Sequence, residues 1–160
     1  MKKMIFVCTG NYYRSRFAQA WFNFHKGSML EGWKAESRGL KIEWAPGLLS
    51  PHTKDALETH GIPNTYHQPL PKALMLEDLE HAALVVAFKH EEHYPMMQEQ
   101  FPEWADRIRY WHIHDLDVWK PEQTLPAIMI QVGLLIEELT ENEKALTPLT
   151  PSDPSPRPLP

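Results

Sequence analysis

Met4-Ile5-Phe6-Val7-Cys8-Thr9-Gly10-Asn11-Tyr12-Tyr13-Arg14-Ser15 reads as a short apolar strand, a tight polar loop and the opening of a helix. The loop begins with the only cysteine of the 160-residue chain and closes six residues later on an arginine followed by a serine. A free thiol has an ordinary pKa of about 8.5 and is mostly protonated at neutral pH. Under a helix N-terminus and beside a guanidinium, the thiolate becomes the resting form. The backbone N–H groups from Thr9 through Ser15 can curl around an anion. Gly10 and Asn11 are the residue types most tolerant of the positive φ such a loop needs. Arg14 supplies a two-pronged donor for two phosphate oxygens, and the Ser15 hydroxyl can donate to the thiolate. These are the parts needed to hold and attack a phosphate-like oxyanion.

Outward from this loop, short apolar runs alternate with longer amphipathic segments. That alternation predicts βαβ units, a parallel sheet and helices on both faces. Strands are expected at 3–8, 33–37, 82–88 and 107–113, the third as a continuous apolar run buried on both faces. Helices are expected at 15–26, at 51–60 with Ser50 as N-cap and Pro51 at the first position, at 74–81 and at 121–143. A further helix at 90–100 is weakened by Pro95. The fold expected is a small doubly wound four-stranded parallel α/β sheet of order 2-1-3-4. Ligands in such sheets bind beyond the carboxyl ends of the strands, and the loops after strands one, two and four lie on that edge.

One domain is expected over residues 1–146, since the chain is long enough for one core and short for two. The segment 147–160 holds six prolines among fourteen residues; it is expected to be a disordered or extended tail, with any partner unknown. Net charge is −5 and the pI about 6.0, so no global basic field draws the chain to nucleic acid or an acidic membrane. A single cysteine excludes an internal disulfide and points to a reducing, cytoplasmic setting. The apolar run after Met1-Lys2-Lys3 ends after four residues, too short for a signal-peptide core or a membrane span. Nine histidines are present, but no cysteine or carboxylate completes a recognised ligand spacing, so they are expected at the surface and no metal or other cofactor is implied.

Val7-Cys8-Thr9-Gly10-Asn11-Tyr12-Tyr13-Arg14-Ser15 resembles the signature of the low-molecular-weight protein tyrosine phosphatases, a Cys, five residues, then Arg-Ser. Trp33-Lys34-Ala35-Glu36-Ser37-Arg38-Gly39 resembles the family's second strand, and His60-Gly61-Ile62-Pro63 the end of its second helix. The resemblance implies that Cys8 is the nucleophile, forming a cysteinyl-phosphate, and that Arg14 binds phosphate and the transition state. It implies that Asn11 holds the loop with Ser37 as partner. The amides and side chains of Thr9, Gly10, Asn11, Tyr12, Tyr13 and Ser15 would surround the phosphate.

A departing oxygen needs a proton, and Trp111-His112-Ile113-His114-Asp115-Leu116-Asp117 offers two carboxylates on the same sheet edge. The resemblance places Asp115 on the family's acid, with Leu116 where a proline belongs and Asp117 as the alternative. Tyr13 replaces a second cysteine found in many relatives, and Arg16 replaces a proline; Arg16 reads as a solvated first-turn residue before a source of positive charge near the mouth. Tyr12 lines the pocket mouth, with Trp44 and Trp119 as possible further walls. The expected activity is phosphomonoester hydrolysis on a phosphorylated protein or a small aryl phosphate, phosphotyrosine before phosphoarginine. Arsenate reduction with an external thiol and a non-catalytic phospho-binding module are the alternatives.

Overall fold

The computed structural model describes residues 1–147; the expected proline-rich tail lies almost wholly outside the described residues. Four strands form one parallel sheet in the order β2-β1-β3-β4: β1 (Lys2–Cys8), β2 (Trp33–Gly39), β3 (Leu84–Phe88) and β4 (Arg109–Trp111). The five α-helices are α1 (Arg14–His25), α2 (Pro51–Thr59), α3 (Leu76–His81), α4 (His90–Gln100) and α5 (Pro121–Leu146).

Strand periodicity divides the central strands between two cores. Met4 and Phe6 of β1 and Val86 and Phe88 of β3 point to one face, where residues of α1 and α5 cover them. Ile5, Val7, Val85 and Ala87 point to the other, against Leu79 of α3 and Met97 of α4. Burial on both faces explains why β1 and β3 read as unbroken apolar runs. Phe6 is the hinge of the first core, its ring 6.2 Å from Phe22, 5.8 Å from Phe88 and 5.7 Å from Trp111.

Boundaries differ from the sequence reading where tertiary bonds intervene. The Leu74 N–H is spent on the Gly39 carbonyl at 2.9 Å, so α3 starts two residues later than expected. β4 is an edge strand paired only over Arg109–Trp111, against residues 86–88, and is shorter than its alternating pattern. α4 continues through Pro95, which removes one N–H donor from its middle. Ser50 caps α2 as expected, its hydroxyl accepting from the His52 N–H at 3.2 Å.

The strands place the loop between β1 and α1 at the carboxyl edge. β1 pairs in register with β2 from Lys2–Trp33 to Cys8–Gly39. Beyond that pair, the Leu40 N–H donates to the Cys8 carbonyl at 3.0 Å and the Lys41 N–H to Thr9 at 2.8 Å. Gly39 is required there by space: a Cβ would lie 2.9 Å from both Asn11 N and Thr9 O, which are backbone atoms.

Candidate active site

The loop from Cys8 to Tyr13 wraps the open N-terminus of α1, which begins at Arg14 with no side-chain cap. Its first-turn N–H groups are therefore free to meet an anion. Asn11 takes the left-handed conformation at φ 52°, whereas Gly10 does not. Asn11 is wholly buried, and its Oδ1 accepts from the Lys72 backbone N–H and from Gln68 Nε2, both at 2.8 Å. A backbone N–H can only donate, so this contact fixes which way the amide points. Nδ2 then donates to Ser15 Oγ at 2.8 Å and to Ser37 Oγ at 2.9 Å. Ser15 Oγ lies 2.9 Å from Cys8 Sγ. With Asn11 donating into the Ser15 oxygen, the serine's own proton can turn to sulfur and stabilise a thiolate there.

Arg14 is almost fully buried. Its Nη1 donates to the carbonyls of Phe88 at 3.2 Å and Ile113 at 3.0 Å, and to Glu92 Oε1 at 3.1 Å. Its Nη2 donates to Glu92 Oε2 at 2.7 Å and reaches Asp115 Oδ2 at 3.4 Å. Burial alone would lower the guanidinium pKa, but the carboxylates around it reverse this and raise it. Burial likewise disfavours the Glu92 carboxylate, yet hydrogen bonds from His93 and Arg14 hold its pKa well below the usual range. Arg14 thus stays a cation and Glu92 an anion at every pH of interest.

Arg14 and Asp115 meet Cys8 at one cavity of about 280 Å³. Cys8, Thr9, Gly10 and Arg14 form part of its lining, with Tyr12, Trp44, Ala45 and Pro46 also in the wall. Asp115, Leu116 and Asp117 contribute from the loop after β4. Both candidate acids reach the cavity, but Asp115 alone of the two contacts Arg14. The missing proline is compensated locally. The Leu116 N–H donates to Asp115 Oδ1 at 2.8 Å, and the Val118 and Trp119 N–H groups turn back onto the Asp115 carbonyl.

Several expectations are corrected. Trp119 does not wall the cavity; it packs 4.5 Å from His114 and 6.2 Å from His112, and Leu116 and Asp117 take that side. Arg16 is not a solvated residue at the mouth: it is wholly buried. Its Nη1 donates to the carbonyls of Asn11 and Leu48, at 3.2 and 2.9 Å, and its Nη2 to Gln68 O. Burial pulls its pKa down to about 10, so it is still charged at neutral pH and braces the loop from behind. The Tyr13 side chain is buried beside Thr124 without a well-formed hydrogen bond, and burial pushes its phenol up to about 12. His93, expected at the surface, is fully buried.

Glu92, His93, Gln68 and Gln19 were not legible as site residues. Gln19 accepts from Ser37 Oγ at 2.5 Å, extending the network behind Asn11. Only Asn11 and Ser37, read as a pair, hinted at it.

A cysteine under a helix N-terminus, serine-bonded and facing an arginine and a loop carboxylate, defines the class of cysteine-dependent phosphatases with an α/β sheet. The family model for low molecular weight phosphotyrosine protein phosphatase matches residues 3–142, and the chain belongs to that family. It is 36% identical over 107 residues to the protein-arginine-phosphatase of Bacillus subtilis, an alignment covering 66% of this chain and 67% of that one. The low molecular weight protein tyrosine phosphatase of T. tengcongensis superposes with a TM-score of 0.68 at 28% identity, covering 89% of this chain and 99% of that one. An arginine phosphatase from Geobacillus stearothermophilus superposes at 0.66 with 26% identity, covering 91% and 95%.

Proposed function

We propose that Cys8 is the nucleophile, Arg14 the phosphate ligand and Asp115 the general acid of a protein tyrosine phosphatase. The observation that carries this reading is the convergence of the three on one cavity, with Ser15 Oγ 2.9 Å from the sulfur and Asp115 Oδ2 3.4 Å from the guanidinium. The thiolate attacks phosphorus in line, and the S–P bond forms as the P–O bond to the leaving group breaks. Asp115 gives that oxygen its proton. The same carboxylate then takes a proton from water, which attacks phosphorus and returns the thiolate with inorganic phosphate. Loop amides and Arg14 carry the charge of the transition state. Tyr12 and Trp44 offer flat apolar walls that suit an aromatic ring.

Replacing Cys8 with Ser is expected to abolish phosphate release from an aryl phosphate while inorganic phosphate still binds. Full activity in that variant would overturn the assignment. Phosphoarginine is the second reading, favoured by Asp117 in the cavity wall and by the Bacillus relative. A guanidine leaving group gains positive charge as it departs, and a second carboxylate suits it. Phosphate release from a panel of phosphotyrosine and phosphoarginine peptides decides between them, with thiol-dependent arsenate reduction as a further arm.

A further inference from the structure

We infer that Thr9, Glu92 and His93 form a positioning unit that aims the Arg14 guanidinium into the phosphate loop. This rests on the phosphatase reading above. A guanidinium has five N–H donors. The contacts with Phe88, Ile113 and Glu92 occupy Nη1 and one N–H of Nη2. What remains is Nε–H and the second Nη2–H, the edge that matches two oxygens of a phosphate side-on. That second N–H reaches Asp115 Oδ2 at 3.4 Å.

Glu92 can hold the opposite edge only if its own carboxylate is fixed. Glu92 Oε2 accepts from the Thr9 hydroxyl, and His93 Nε2 lies 3.1 Å away. His93 Nε2 is also 3.0 Å from Thr9 Oγ1. His93 Nδ1 is buried with no hydrogen-bond partner among the described residues. A neutral ring carrying its proton on Nε2, donating to Glu92, fits these surroundings. Thr9 directly follows the nucleophile, so the carboxylate ties the guanidinium to the loop it must serve. Glu92 also offsets charge. Glu92 and Asp115 share one cation, and neutralising Glu92 leaves Asp115 more of the Arg14 field.

The test compares the intact wild-type chain with Glu92→Gln, Thr9→Val and Thr9→Ser, reading kcat, KM and inhibition by inorganic phosphate on an aryl phosphate. Glu92→Gln is expected to lose about ten- to a hundredfold in kcat/KM, as when an outer partner of a charged ligand is removed. Phosphate inhibition should weaken. Thr9→Val should lose part of the activity and Thr9→Ser should recover it. Three results overturn the inference: Glu92→Gln within twofold of wild type; a loss with phosphate inhibition unmoved; or Thr9→Val equal to wild type. If Glu92→Gln does not fold, the two Thr9 variants decide, since only the loss and recovery supports the unit. A wild-type chain inactive on every phosphate tested would instead sink the phosphatase reading itself.

Discussion

Asp115 and Asp117 stand two residues apart on one loop and both line the cavity, but Asp115 alone of the two contacts Arg14. Asp115→Asn should lower kcat/KM about a hundredfold or more on phenyl phosphate, where the leaving oxygen needs a proton. The loss should shrink on p-nitrophenyl phosphate, whose leaving group departs without one. Asp117→Asn should leave both within a few-fold of wild type. The reverse ranking in steady-state kinetics would reassign the acid. Place after an expected strand offered both carboxylates, and the family resemblance alone ranked Asp115 before Asp117. Arg16 was misread, because a first-turn arginine carries no sequence mark of being buried. Its three carbonyl acceptors come from residues 11, 48 and 68, segments far apart in the chain.

At the scale of elements, the junction of β2 with the phosphate loop has no spare room. Gly39→Ala would drive a Cβ to within 2.9 Å of two backbone atoms of that loop. Neither can rotate away, so the loop must shift. The expected outcome is a large loss of aryl phosphatase activity, with a lowered melting temperature in a thermal scan. α4 carries a pH dependence of its own. Burial lowers the His93 pKa, partly offset by the hydrogen bond to Glu92. Its folded value thus lies below the unfolded one of about 6.5. The unfolded chain takes up the proton first, so the stability from keeping His93 neutral is full above about pH 6.5. It is lost as the pH falls through the folded value. Stability of wild type measured by urea unfolding should drop more steeply from pH 7 to 5 than that of a His93→Gln variant; equal slopes would contradict this. Nothing in the alternation around residues 90–100 showed His93 inside, because Pro95 and the charged residues masked the helix's inner face.

For the whole molecule, stability depends on a sheet covered on both sides, with Phe6 at the centre of one core. Phe6→Ala should cost about 3–5 kcal/mol, measured by urea unfolding, and a loss under 1 kcal/mol would mean that the core collapses around the gap. The order of strands, the parallel sense and the carboxyl-edge site followed from the alternation of apolar runs with amphipathic segments and from the family signature. The sequence by itself determined the strand, loop and helix that bring thiol, amides and guanidinium together, because these lie within eight consecutive residues and local geometry suffices. Only the tertiary structure decided what holds that guanidinium. Glu92 is 78 positions from Arg14 and Asp115 is 101. Contacts at that separation exist only once β3 and β4 have paired in register beside β1, and no local pattern in either segment records the partner it will meet.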